Sequence, residues 1–154
     1  MELSEIIGIE AVRAPVKATS KKRLLQDLAE MAEAVYGLPS ETVYRALMDR
    51  EALGPTGVGR GVAIPHARFA GVGTVLGLFV RLEKPVDFES IDRQPVDLVF
   101  ALFAPESAGA EHLKALARVS RTLRSEAVCA KLRSTFDPSA LYAILTDGKA
   151  EQAA

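Results

Sequence analysis

Val96-Asp97-Leu98-Val99-Phe100-Ala101-Leu102-Phe103-Ala104 carries one charged side chain in nine residues and contains neither glycine nor proline. The run lacks the polar alternation of a strand with one wet face. It therefore predicts a strand covered on both sides, as in a sheet sandwiched between helices. Upstream, Thr74-Val75-Leu76-Gly77-Leu78-Phe79-Val80-Arg81-Leu82 has the same character, with Arg81 its one charge.

Outward from these strands the periodicity becomes helical. Downstream, Ala110 to Arg124 predicts a helix with Leu113, Leu116, Ala117, Ser120 and Leu123 turned inward. A short helix near Glu126 to Arg133 follows. The last helix begins at Asp137-Pro138, a cap followed by a proline at the first helical position, and ends before Gly148. Upstream, Val16-Lys17-Ala18 reads as a short first strand. Thr19 or Ser20 then caps a helix to about Tyr36, with Leu24, Leu28, Met31, Ala32 and Val35 on one face and Gly37 closing it. Pro39-Ser40-Glu41 opens a second helix to about Arg50, whose inner stripe is Val43, Ala46 and Leu47. Next, Gly54, Gly57, Gly59 and Gly61 fall within eight residues, a density that lets backbone pass close to a ligand. Gly61 to Ile64 reads as a short strand ending at Pro65-His66. Helices, then strands, then helices, without strict alternation, predict an α/β sandwich around a mixed sheet of about five strands rather than a doubly wound sheet. One domain is expected over residues 1–148, with residues 149–154 as a frayed, flexible tail.

The 154 residues set 19 basic against 20 acidic side chains, a net charge of −1. That balance offers no electrostatic footprint for nucleic acid or an anionic membrane. Cys129 is the only cysteine, so it forms no internal disulfide and belongs to no thiolate metal cluster. The charged start Met1-Glu2-Leu3-Ser4-Glu5 does not suit a signal peptide, and the apolar runs fall short of the ~20 residues a bilayer requires. A soluble, cytoplasmic protein without stable membrane association is expected. Gly57-Val58-Gly59-Arg60-Gly61 lacks dinucleotide-fingerprint spacing and any Gly-Lys-Ser/Thr. Two histidines alone make a poor zinc site, and Ser90, Ser107 and Ser120 sit in no nucleophile elbow. No cofactor and no metal are expected. Lys21-Lys22-Arg23 reads as the solvated face of the first helix or as a docking patch for an acidic partner.

Three side chains remain as candidates for chemistry. His66 follows Pro65, which biases Ile64 toward extended geometry and stiffens the approach to the imidazole. A histidine with its ordinary pKa is largely neutral in the cytoplasm, leaving a ring nitrogen as nucleophile; the alternative is a histidine that merely caps a strand end. His112 lies in the first turn of its helix, on the side shared by Leu116, Val119 and Leu123, near N–H groups suited to phosphate. A semi-buried structural histidine is the competing reading. Arg50 lies on the apolar side of the second helix, three residues after Leu47. It serves either as a fork for phosphate oxygens or as a last-turn complement to the helix dipole.

Gly54-Pro55-Thr56-Gly57-Val58-Gly59-Arg60-Gly61-Val62-Ala63-Ile64-Pro65-His66 closely resembles the active-site signature of type-2 IIA domains of the bacterial phosphoenolpyruvate-dependent phosphotransferase system. The stretch from Ile91 to Leu102 is similar to that family's second block, His112-Leu113 to its supporting histidine, and Arg50 to its active-site arginine. Ser20-Lys21-Lys22-Arg23 and Leu3-Ser4 look like the nitrogen-regulatory branch. The resemblance spans about Leu3 to Asp147 and implies the fold of the mannitol- and fructose-type IIA domains. It implies that His66 accepts a phosphoryl group on Nε2 from an HPr-like phosphocarrier, with His112, Arg50 and Thr56 steadying the phosphoryl oxygens. A regulatory phosphocarrier, whose two forms bind different target proteins, is the leading expectation, and a chain without a fused transporter or B-type domain suits it. A sugar-specific IIA component passing phosphate to a IIB domain is the second reading. A non-catalytic binding module on the same fold is the third.

Overall fold

The computed structural model describes residues 1–147, so the expected tail at 149–154 lies outside the described residues. Two single 3-10 turns, Leu3–Glu5 and Ile9–Ala11, precede β1 (Val12–Val16), α1 (Lys21–Tyr36) and α2 (Ser40–Ala52). Then come β2 (Gly57–Gly59), β3 (Val62–Ala63), β4 (His66–Arg68), β5 (Leu76–Val86) and β6 (Val96–Ala104). The helices α3 (Gly109–Arg124), α4 (Glu126–Leu132) and α5 (Pro138–Thr146) complete the order.

The sheet is mixed, as expected. Its order is β1-β5-β6-β3-β2, with β4 also on β6. The β5–β6 and β2–β3 pairs are antiparallel, whereas β1 joins β5, and β3 and β4 join β6, in parallel. Residues 96–104 form the central strand, and all of them except Asp97 are buried. Phe79 and Phe100 lie directly opposite each other on β5 and β6 and are fully buried, as are Phe88 and Phe103. Among the described residues, α1 packs on β5, α3 on β6, α5 on β1 and α2 over β4. No helix among them is long and apolar enough to cross a membrane.

Helix ends follow the local chemistry. The Ser20 side chain accepts from the Arg23 N–H at 3.0 Å, and Gly37 closes α1 in the left-handed region at φ 70°. Asp137 accepts from the Ser139 N–H at 3.1 Å ahead of Pro138. Three expectations need correction. The first strand is Val12–Val16, not residues 16–18; Pro15 and Arg13 weaken its signal, and both are tolerated because β1 is an edge strand. Helix α3 is turned by one residue from its expected phase, burying His112, Ala115, Val119, Thr122 and Leu123 while Leu113 is 63% exposed. One residue is about 100° of helix rotation. The third correction concerns the strand before His66 and is taken up with the site. The six strands agree with the expected count of about five. One of them, β2, has the sequence Gly-Val-Gly and no strand propensity of its own; it is held by a tight hairpin.

The β2–β3 turn is Arg60-Gly61, both left-handed at φ 57° and 78°, the pattern of a two-residue primed hairpin. Arg133 grips it from α4's end, donating to Arg60 O at 2.8 Å and to Asp97 Oδ1 at 2.9 Å. A Cβ on Gly61 would stand 2.6 Å from Arg133 Nη2 and 3.1 Å from Asp97 Oδ1. Gly61→Ala is expected to cost about 1–3 kcal/mol of stability through its left-handed backbone and displaced guanidinium, measurable as a lower urea midpoint at unchanged slope.

Candidate functional site

β3 and β4 lie along the same edge of β6 at one constant offset, Val62 opposite Leu98 and His66 opposite Leu102. The chain therefore passes through Ile64-Pro65 without slipping register. His66 is not the end of the strand, as expected, but the first residue of its second half; Pro65 has no N–H and interrupts the ladder there. Carbonyls on alternate residues turn toward β6: those of Gly61 and Pro65 accept from Leu98 N at 3.1 Å and Leu102 N at 2.9 Å. The groups of Ile64 consequently turn to the outer edge, where its N–H donates to Thr56 O at 3.0 Å. Its carbonyl faces the ring of His66, and the two meet at 2.8 Å (Nδ1 to O).

That contact fixes the tautomer. A carbonyl only accepts, so the proton sits on Nδ1 and the lone pair on Nε2. Arg50 Nε donates to Nε2 at 3.2 Å while its Nη1 donates to Gly54 O at 2.9 Å. Burial, opposed by the Ile64 bond and the Glu51 carboxylate and reinforced by the charges of Arg50 and Arg68, holds the His66 pKa below its ordinary value. The ring is neutral near pH 7. It opens on a hollow of about 520 Å³ between the C-terminal end of α2 and the first turns of α3, walled by Arg50, Leu53, Arg68, His112, Leu113 and Leu116.

His112 is 4% exposed. Arg68 Nε donates to its Nδ1 at 2.8 Å, which places the His112 proton on Nε2. Burial first, then the Arg68 charge and His66, lower its pKa to about 4. Its Nε2 is buried without a hydrogen-bond partner, and the two imidazoles meet edge to face with centroids 5.5 Å apart. A buried N–H without a partner is costly. An N–H of this kind suits an oxyanion.

Comparison with known proteins bears on this arrangement. The family model described as "Phosphoenolpyruvate-dependent sugar phosphotransferase system, EIIA 2" matches residues 5–148. The chain belongs to the type-2 EIIA family. The nitrogen regulatory protein of Bradyrhizobium diazoefficiens is 48% identical over 145 residues, covering 94% of this chain and 95% of that one. The fructose-specific EIIABC component of Bacillus subtilis is 31% identical over 146 residues, covering 94% of this chain but 23% of its own length. Among solved structures, the nitrogen regulatory protein IIA-Ntr of Neisseria meningitidis superposes with a TM-score of 0.88 at 36% identity, covering 94% of this chain and 99% of that one.

Within this type-2 EIIA domain the structure brings His66, His112 and Arg50 together, and places Thr56 elsewhere. Thr56 is buried, and both its N–H (3.1 Å) and its hydroxyl are given to the Glu51 carboxylate. Lys21 is not part of a solvated face: its side chain is 15% exposed and its Nζ lies 2.8 Å from Glu51. Arg68 and Glu51 were not singled out from the sequence, and Lys21 only as part of the Lys21-Lys22-Arg23 face. Arg68 was detectable, since residues two apart on a strand share a face and His66 is one of them. Glu51 gave no local signal beyond following Arg50. Leu113, read as core, is exposed and walls the hollow, while Leu116 packs against the core and lines the hollow as well.

The folded His112 pKa lies below the ordinary 6.5, so the unfolded chain takes up that proton first on acidification. The stability His112 contributes is present above about pH 6.5 and lost as pH falls toward about 4. Arg68→Met is expected to raise the His112 pKa while leaving it below 6.5, because burial is the larger cause. Titration of the imidazole resonances by NMR measures both shifts; an unchanged His112 pKa in the variant would contradict the assigned Arg68 contact.

Proposed function

We propose that the chain is a phosphoryl carrier of a nitrogen-regulatory phosphotransferase branch. It takes a phosphoryl group on Nε2 of His66 from an HPr-like phosphocarrier and presents its phosphorylation state to regulatory target proteins. One observation carries the reading: a neutral imidazole with its lone pair on Nε2 lines a hollow that is also lined by two guanidinium groups and by His112, whose buried Nε2–H has no partner.

Phosphoryl transfer through a loose transition state asks mainly for positioning and charge stabilisation. Nε2 of His66 forms the new N–P bond as the donor's N–P bond breaks, and that electron pair returns to the donor ring. Positive charge arising on His66 spreads to Nδ1–H, which the Ile64 carbonyl steadies. Arg50 shifts its Nε–H from the lone pair to a phosphoryl oxygen, and His112 Nε2–H meets another. Phosphorylation adds about −1.5 to −2 charges beside exposed Leu53 and Leu113, enough to change which partner surface fits. A sugar-specific role, with phosphoryl passing on to a IIB domain, is the second reading, favoured by the likeness to the fructose-specific component. Catalytic turnover with a purified IIB domain would select it.

The test is incubation with phosphoenolpyruvate, enzyme I and either a nitrogen-branch or a sugar-branch HPr. His66→Ala is expected to abolish labelling. His112→Ala should slow it by about 10²-fold, the usual loss for one oxyanion donor, with an unchanged circular dichroism spectrum. Labelling of the His66→Ala protein at the full rate would overturn the assignment, and an unlabelled native protein would favour a binding module.

A further inference from the structure

Behind the reactive ring, on the side away from the hollow, lies a connected set of polar groups that the proposed transfer does not use. Glu51 is the hub. Its side chain is 5% exposed, a position where a carboxylate persists only when paired and hydrogen-bonded. Lys21 Nζ stands 2.8 Å from Oε1, the Thr56 N–H donates to the same oxygen at 3.1 Å, and the Thr56 hydroxyl donates to Oε2. Lys21 is itself tied down, 3.4 Å from Phe88 O and over the Phe88 ring.

From Glu51 two routes lead to the His66 imidazole, one to each nitrogen. On the Nδ1 side, Thr56 O accepts the Ile64 N–H at 3.0 Å, and Ile64 O accepts Nδ1–H at 2.8 Å. On the Nε2 side, the Glu51–Thr56 bonds close residues 51–56 into a ring that contains Gly54, whose N–H donates to Glu51 O at 3.1 Å. The carbonyl of Gly54 holds Arg50 Nη1 at 2.9 Å, and the same guanidinium reaches Nε2 at 3.2 Å. One buried carboxylate thus braces both partners of the ring.

We propose that Glu51, charged and held in place by Lys21, is a positioning residue for His66. Through Thr56 and Ile64 it fixes the Nδ1-protonated tautomer, and through the 51–56 loop it sets Arg50 against Nε2. Thr56 acts here as a relay behind the ring rather than as a phosphate contact. The inference rests on the proposed transfer to His66, but its first readout does not.

That readout is the pair of His66 ring ¹⁵N shifts in the full chain, at a pH where both histidines are neutral. The native protein is expected to show a proton on Nδ1 alone. In Glu51→Gln the two shifts should move toward each other as the tautomers mix, and Lys21→Met should do the same to a smaller degree. The double variant should be no worse than Glu51→Gln, because both act on one route. The second readout is single-turnover labelling by phosphorylated HPr. Misplacing a reacting group by about 1 Å costs roughly 10²-fold, so Glu51→Gln should lose about 10- to 100-fold in the rate at saturating donor, with the half-saturating donor concentration unchanged. If Glu51→Gln does not fold, Lys21→Met and Thr56→Val, which leave the carboxylate in place, carry the test. Unaltered His66 shifts in the folded variants overturn the proposal whatever the labelling rate. A native protein that takes no phosphoryl group defeats the carrier reading, while the shifts still decide the positioning.

Discussion

The hydrogen bond from Nδ1 of His66 to the Ile64 carbonyl, 2.8 Å long, is the contact on which the site depends. It settles the tautomer, and with it which nitrogen faces the hollow. The carbonyl is available only because of strand parity. Gly61 and Pro65 spend their carbonyls on β6, so Ile64, one position out of phase with both, turns its own outward. A slip of one residue in the β3–β6 register would exchange these roles. The hydrophobic run 96–104, buried at every residue but Asp97, makes such a slip costly. The chemistry of one imidazole is in this way tied to the packing of the central strand.

Around that ring the guanidinium charges of Arg50 and Arg68 outweigh the opposing Glu51 carboxylate. Burial lowers the pKa of both imidazoles, and the nearby guanidinium groups of Arg50 and Arg68 add to it. On the proposed transfer, two neutral rings beside two guanidinium groups suit an incoming dianion, because a neutral ring keeps a lone pair while the surroundings attract charge. The rings have opposite tautomers because each Nδ1 meets a different partner, a backbone carbonyl at His66 and a guanidinium N–H at His112. One ring consequently carries a lone pair on Nε2 and the other an N–H, and both rings line the same hollow.

The glycine-rich segment contributes less through contact with a ligand than through shape. Left-handed Arg60 and Gly61 fold β2 back on β3, and the hairpin brings the Thr56 carbonyl to the Ile64 N–H. Gly57 has no room for a side chain, since a Cβ there would lie 2.0 Å from Ser90 Oγ. Glycine is required there by the close approach of β2 to the segment that carries Ser90, whose Cβ would lie 3.0 Å away.

Much of this was legible in the residues themselves. The central strand 96–104, the cap at Ser20, the stop at Gly37 and the helix start at Asp137-Pro138 are local matters of periodicity and side-chain oxygens, and the structure has them where the residues place them. The block from Gly54 to His66 carried the family resemblance and pointed to His66; His112 and Arg50 stood out by their helix positions, and the fold gathers all three at one hollow. Tertiary structure alone decided the phase of α3, the pairing of β2 and the burial of Lys21 against Glu51. Leu113 and Ala115 lie on the same helix, and the packing of α3 on β6 buries the smaller. A lysine and a glutamate thirty positions apart carry no sign of their pairing. It arises when two helices, the 51–56 loop and the 87–90 segment close on one carboxylate, and the cost of leaving that charge buried and alone keeps them together.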